Sequence, residues 1–389
     1  MMPNLLPSSI PADARILVRG VNWLGDAVMT TPALQRLRER FPRAHIALLT
    51  HENLADVWLR HPSLDTLITF TAKEGPWSVG RRLRTEAFTT ALVLPNSPRS
   101  ALEVWLAGIP QRIGCGGPWR NWFLTCLVPA RLGHAPTRKR SAREIKKLIH
   151  SRADDARHAS PILHPQASHQ IHQYLHLTAA LGANPEPLAP KLEITATELQ
   201  QAEHRFLSGL RRPASSHAPA EPLILAGLNP GAHYGPAKRW SAENFAAVAR
   251  QVSRKLNHCL WLGFGGPNDW KLTEDIARLA GVGVFNLAGK TSLRELMALL
   301  KLCRVVLTND TGPMHLAAAL GTPVVVPFGS TSPDLTGPGL PGDSRHHLLK
   351  SDAPCAPCFR RTCPIDFRCM TGISVEPVAN AILQVLSSQ

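Results

Sequence analysis

The sequence predicts an α/β fold of two doubly wound parallel sheets, on three observations. Short apolar runs end at glycines or polar loops, helical patterns separate those runs, and the alternation stops once and then restarts. In the first half, "RILVRG" (15–20), "HIALLT" (45–50), "LITF" (67–70) and "TTALVLP" (89–95) read as buried strands. "DAVMTTPALQRLRERF" (26–41) carries apolar residues at Ala27, Val28, Leu34 and Leu37 and a basic end, which predicts a helix. Residues 52–60 and 98–107 read as further helices. In the second half, runs at 223–229, 258–265, 282–289, 303–310 and 322–329 predict five strands, with helices at 241–255, 269–279, 292–301 and 312–320 between them.

Two stretches interrupt the pattern. Residues 131–170 are basic, histidine-bearing and poor in large apolar side chains, and "RRPASSHAPAEP" (211–222) has the composition of a linker. The domains expected are therefore 1–210, with a surface insertion at about 133–168, and 223–389, joined by 211–222. Two such units predict a cleft between two sheets, with ligands at the carboxyl ends of the strands.

At 389 residues and 44% hydrophobic, the chain has material for two ordinary cores, which argues against global disorder. Its 43 Lys+Arg against 28 Asp+Glu give a formal charge of +15, which favours nucleic acid, acidic lipid headgroups or phosphorylated substrates. Only two tyrosines and no aromatic–basic strand motif speak against nucleic acid. The first residues lack the pattern of a signal peptide, and no run reaches the roughly 18 apolar residues of a membrane helix. The expectation is a cytosolic protein, held to a membrane surface by charge.

Four loops follow strands and carry polar or small residues. In "RGVNWLGDAVMTTPAL" (19–34), Asp26 stands at a helix start, as an N-cap or as a general base. "GLNPGAHYGPAKRWSAENF" (227–245) sets Lys238 and Arg239 just before a helix that Ser241 would cap; free amides and two cations suit a phosphate or pyrophosphate. "TNDTGPMHLAAALGTP" (308–323) places Asp310, Thr311, Gly312 and His315 at another helix start, as phosphate or ribose contacts, or as a cap and a core histidine. "LGFGGPND" (262–269) lacks the full dinucleotide spacing, and "AGKTS" (288–292) lacks the earlier glycine of a P-loop, since Val284 stands there. Near the end, Cys355, Cys358, Cys363 and Cys369 form a C-x2-C-x4-C-x5-C array, readable as a structural zinc site or as reduced, partly buried thiols.

Taken together, "ILVRGVNWLGDAVMTTPAL", "LVLPNSPRSALEVWLAGIPQRIG", "NPGAHYGPAKRW", "NLAGKTSL" and "LTNDTGPMHLAAALGTPVVVPFGSTSPDLTGP" resemble the glycosyltransferase family 9 heptosyltransferases over nearly the whole chain. The resemblance implies a GT-B architecture, with an acceptor-binding N-terminal domain and a C-terminal domain for ADP-L-glycero-D-manno-heptose. It implies inverting transfer of that heptose, without a cofactor, to the first heptose of the lipopolysaccharide inner core on a heptosyl-Kdo-lipid A acceptor at the cytoplasmic face of the inner membrane. "GPAKRW" sides with that acceptor by resemblance alone; transfer of a different heptose by the same fold is the alternative. The family pattern makes Asp26 the base and Lys238 the group that neutralises the departing ADP, with Arg239 beside it. It puts Thr311 and Gly312 at the pyrophosphate, Asp310 and His315 at the same helix tip, and Thr291 at the adenine. Asn96, Ser97, Arg81, Arg82 and Arg84 would face the acceptor. The ribose-contacting acidic residue of some relatives has no clear counterpart here; Asp269 stands nearest.

Overall fold

The computed structural model describes residues 10–131, 137–150, 168–209, 223–256 and 258–388. They divide into two compact units, residues 10–131 with 168–192, and residues 137–150 with 193–388.

The first unit holds a six-stranded parallel sheet: β1 Arg15–Arg19, β2 His45–His51, β3 Thr66–Phe70, β4 Thr90–Val93, β5 Gln111–Cys115 and β6 Cys126–Val128. Their order is β3-β2-β1-β4-β5-β6. β1 is central because Ile16, Leu17 and Val18 are apolar in succession and fully buried, as a strand covered on both faces requires. Leu17 pairs with Ala47 of β2 on one side and Ala91 of β4 on the other.

The second unit repeats the plan with β7 Ile224–Asn229, β8 Cys259–Gly263, β9 Val284–Asn286, β10 Val305–Thr308, β11 Val324–Phe328 and β12 His347–Lys350. Its order, β9-β8-β7-β10-β11-β12, matches that of the first sheet strand for strand. In both units the chain winds outward for three strands and returns to the other side of the first. The first and fourth strands are therefore neighbours whose following loops diverge, and a crevice opens at their carboxyl ends.

The structure departs from the sequence expectation at several places. The run 26–41 is two helices, Leu24–Met29 and Thr31–Arg40. Pro32 at the start of the second has no N–H for the ladder, and the hydroxyls of Thr30 and Thr31 take the carbonyls of Ala27 and Val28 instead, at 2.7 and 2.8 Å. Residues Glu52–Trp58 form a 3₁₀ helix. β5, β6 and β12 went unpredicted because they are short, with too few apolar residues to show a period.

The domain boundary at 210 is also corrected. Helix Ala196–Leu207 belongs to the second unit, capped by Thr195 and Glu198, with Glu198 held by both ends of the Arg294 guanidinium at 2.8 Å. So does helix Ala142–His150, the described part of the insertion expected at 133–168. Its Ile145 packs against Cys355 and Cys358, while the Arg140 amide donates to the Cys358 carbonyl at 3.0 Å. The basic residues Arg143, Lys146 and Lys147 stay exposed on that helix. The rest of the insertion and the linker 211–222 lie outside the described residues.

Beneath the loop that leads to Asp26 sits a buried ion pair. The Arg19 Nε lies 2.8 Å from Glu103 Oε2, with the two side chains 2% and 0% exposed. Arg19 also donates to the Gly20 carbonyl and to Asn22 Oδ1 at 3.1 Å, and its guanidinium lies over the Phe70 ring at 4.5 Å. Burial draws the Arg19 pKa below its ordinary value and Glu103 opposes that shift. Removing one partner strands a buried charge. Glu103→Ala should therefore cost the first unit about 3–5 kcal/mol. Hydrogen exchange should report this as lost protection of the β1 amides, and unchanged protection would contradict it.

Candidate active site

In the first unit the β1/β4 reversal brings Asp26, which follows β1, to the same end of the sheet as Asn96 and Ser97, which follow β4. Asp26 is not the helix N-cap. That position is Trp23, with no side-chain cap bond, and Asp26 is the third residue of the helix, half-buried. Its Oδ1 accepts from the hydroxyl of Tyr174, at 3.2 Å, across 148 residues of chain. Tyr174 lies in helix Gln170–Ala179 and is buried. Burial and the Asp26 charge push its phenol well above the ordinary tyrosine pKa, so it stays protonated and a donor at any working pH.

Asn96 is exposed and its Oδ1 accepts from Arg120 at 3.2 Å; the same guanidinium nitrogen donates to the Pro95 carbonyl at 2.8 Å. Ser97 caps helix Pro98–Leu106 by accepting from the Ser100 amide at 3.3 Å. The arginines Arg81, Arg82 and Arg84 do not join this group. They fall in the last turn of helix Pro76–Arg84, where Arg82 donates to the Thr69 carbonyl of β3 and pairs with Glu74 at 3.5 Å. Arg84 donates to the Leu106 carbonyl at 2.8 Å.

In the second unit the β7/β10 reversal joins two loops that lie 72 residues apart in sequence. Lys238 Nζ meets Asp310 Oδ2 at 2.6 Å, with side chains 13% and 4% exposed. The same carboxylate oxygen accepts from the Thr331 hydroxyl at 2.6 Å. The Tyr234 ring lies 4.9 Å from the Lys238 ammonium and 5.3 Å from the Arg361 guanidinium carbon. Asn229, the last residue of β7, donates to the hydroxyls of both Thr308 and Thr311 at 3.1 Å and so crosses the same reversal.

Thr311 is the N-cap of helix Gly312–Ala319, yet its side chain makes no cap bond. His315 is buried within the first turns of that helix. Asp269 accepts from the Gly266 amide at 3.0 Å, and its carboxylate packs on Gly231, where a Cβ would lie 2.6 Å from Oδ2. Arg239 is exposed. Thr291 is half-buried and follows β9, the edge strand, two strands away from the Lys238 loop.

The cysteine-rich segment braces this loop. The Arg361 carbonyl accepts from the Ala237 amide at 2.9 Å, and the Phe359 carbonyl accepts from the Tyr234 hydroxyl at 2.8 Å. Gly235 runs at φ 150°, and a Cβ there would meet the Arg361 oxygen at 2.5 Å, so only glycine lets the two backbones approach. All eight cysteines are unpaired. Among the described residues no group of three or more His, Cys, Asp or Glu is placed to hold a metal ion. Cys355 and Cys358 are buried against Ile145, and burial pushes the Cys369 thiol up to about 12, which keeps it protonated.

Sequence reasoning found Asp26, Lys238 and Asp310 but missed Tyr174, Arg120, Thr331 and Tyr234. Tyr234 stood in the quoted loop and Thr331 in the quoted stretch 307–338; Tyr174 and Arg120 carry no local signal and are recruited by topology.

The family model described as Glycosyltransferase family 9 (heptosyltransferase) matches residues 149–367, more than half of the 389-residue chain. Lipopolysaccharide heptosyltransferase 2 of Escherichia coli K12 is 29% identical over 343 residues, covering 83% of this chain and 85% of its own. Among solved structures, E. coli ADP-heptose LPS heptosyltransferase II has a TM-score of 0.71 at 25% identity, over 96% of this chain and 99% of that one. A family 9 glycosyl transferase from Veillonella parvula shares the fold with a TM-score of 0.75 at 24% identity, over 98% and 99% of the two chains. With two Rossmann-like units that each carry a polar group at the strand-order reversal, the chain belongs to glycosyltransferase family 9, the heptosyltransferases, and is a glycosyltransferase of the GT-B fold.

Proposed function

We propose that the protein transfers L-glycero-D-manno-heptose from its ADP conjugate to the first heptose of the lipopolysaccharide inner core, with inversion. The single observation that carries the donor half is the Lys238–Asp310 pair at the β7/β10 reversal, bordered by the N-terminal end of helix Gly312–Ala319. A cation held at one strand end, beside a helix tip with outward amides, suits a diphosphate that gains charge as its bond to the sugar breaks.

The acceptor half rests on Asp26. Its carboxylate takes the proton of the acceptor hydroxyl as that oxygen attacks the anomeric carbon, and ADP departs from the opposite face. Tyr174 holds the carboxylate in place by donating to Oδ1. In the donor unit, Lys238 meets the charge developing on the leaving phosphate while Thr311 and Gly312 supply a hydroxyl and backbone N–H groups. We assign Asp269, packed on Gly231, to the ribose as the nearest acidic candidate, and Thr291 to the adenine side. The acceptor is lipid-borne, so the enzyme works at the inner face of the membrane. In support, no helix among the described residues is long and apolar enough to cross a membrane, and the chain carries a formal charge of +15.

Asp26→Ala should lower kcat by about a thousandfold or more and leave ADP affinity within about twofold, measured by turnover of ADP-heptose on truncated core acceptors and by calorimetry. Lys238→Ala should weaken ADP binding and rate together, by roughly 10- to 100-fold in kcat/KM. A rate for Asp26→Ala within a few-fold of the parent would remove the base assignment.

Tyr174→Phe tests the hydrogen bond alone. Loss of that donor leaves the carboxylate less firmly oriented, so kcat/KM should fall by about 3- to 10-fold while ADP affinity stays within about twofold. An unchanged kcat/KM would show that Tyr174 only packs.

A further inference from the structure

We infer that the loop Gly116–Phe123, with the helices beside it, is the surface by which this protein docks on an anionic lipid bilayer. The inference rests on the lipid-borne acceptor proposed above and names the element that makes the contact.

The loop reads "GGPWRNWF" and exposes two tryptophans, Trp119 at 81% and Trp122 at 84%. These indoles do not hang from a slack segment. Between them Arg120 is 1% exposed and anchored on the Pro95 carbonyl and on Asn96, while the Asn121 side chain accepts from the Gly117 amide at 2.8 Å. Arg112 holds the far end by donating to the Phe123 carbonyl at 2.6 Å. Trp119 sits at φ 63°, a left-handed conformation that a bulky residue rarely adopts. The local structure therefore spends a buried guanidinium and a disfavoured backbone angle to hold apolar rings in water.

The surroundings continue the surface. Trp105 is 45% exposed and its ring lies 5.7 Å from that of Phe123. Helix Pro98–Leu106 in turn packs on helix Pro76–Arg84, which exposes Trp77 at 70% together with Arg81 and Arg82. Of the six arginines in residues 76–122, Arg81, Arg82, Arg84 and Arg99 are exposed, Arg82 paired with Glu74 and Arg99 with the buried Glu103, whereas Arg112 is half-buried and Arg120 buried. Indoles set among cations match the boundary of an anionic bilayer, where tryptophan rings reside at headgroup depth and cations meet the lipid phosphates. A second copy of the same basic surface would repel its like.

The test is sedimentation of the full chain with phosphatidylcholine vesicles and with vesicles that also contain phosphatidylglycerol. The parent should bind the anionic vesicles, and Trp119→Ser/Trp122→Ser should bind them at least about tenfold more weakly, the loss expected when two part-buried indoles leave the interface. Trp270→Ser, which removes a half-exposed indole from the other unit, should change nothing. Hydrogen exchange of the parent, which needs no variant, should show the amides of 117–123 gaining protection on anionic vesicles.

Turnover on a delipidated core acceptor should be equal for parent and double variant, while the KM for the vesicle-borne acceptor rises for the variant. Vesicle binding by the double variant equal to the parent's, no protection of 117–123, or loss of single-stranded RNA binding in place of vesicle binding would each overturn the inference. Absence of heptose transfer to every acceptor, with vesicle binding intact and dependent on the loop, would refute the catalytic reading and leave the docking surface standing.

Discussion

Each unit is closed across its strand-order reversal by a buried carboxylate that holds a cation from the first of the two strands or its loop, and the loops carrying Asp26 and Lys238 depend on that constraint. In the first unit Arg19, at the end of β1, meets Glu103 on the helix that follows β4; in the second, Lys238 after β7 meets Asp310 after β10. A reversal separates two adjacent strands into diverging loops, so something must hold those loops in register if they are to share a ligand. The two pairs do this at different depths. With Arg19 and Glu103 at 2% and 0% exposure, the charges are sealed and serve the backbone above them. At 13% and 4%, the lysine of the second pair is reachable, so an incoming anion can compete for its ammonium.

That difference explains a division between the halves. The first unit carries Asp26, the proposed base, on a short helix over a sealed pair, and Tyr174 from a helix late in the unit donates to its carboxylate. The second unit places its cation in the pair itself and stiffens the loop from outside. There the cysteine-rich segment contributes carbonyls rather than thiols, through Phe359 and Arg361. Helix Ala142–His150 packs on the back of that segment through Ile145, so an insertion remote in sequence from Lys238 is joined to it through two layers of packing.

What the sequence revealed, and what it hid, divides along the same physical line. Strands β1, β2, β4, β7, β10 and β11 are central and doubly covered, so their apolar runs are legible without a partner. β5, β6 and β12 are short and lie away from the sheet centre, and their pairing depends on a neighbour already in place. Asp26, Lys238 and Asp310 were visible because glycine, proline and charge crowd the loops after central strands. Tyr174 was not, since "HQIHQYLHLTAA" reads as an ordinary amphipathic helix and its hydroxyl acquires meaning only 148 residues away. The insertion helix did carry an apolar spacing, Ile145, Leu148 and Ile149, but the surrounding basic residues masked it. The boundary at 210 went astray for a related reason: a linker composition marks where the chain is polar, whereas Glu198 and Arg294 decide which core a helix joins.

The choice of lysine at 238 follows from how many bonds the resting pair consumes. An ammonium has three donors, and a single carboxylate oxygen, Asp310 Oδ2, takes one of them while also receiving the Thr331 hydroxyl. The Tyr234 ring covers one side of the ammonium and keeps it from full hydration, at 4.9 Å. Two donors then remain on an ammonium whose side chain is only 13% exposed. Arginine could satisfy both oxygens of Asp310 in a planar fork, and would lose that fork to bind anything else. On the proposed donor role, a point charge held by one oxygen turns toward a phosphate without first giving up its partner, whereas a forked guanidinium does not.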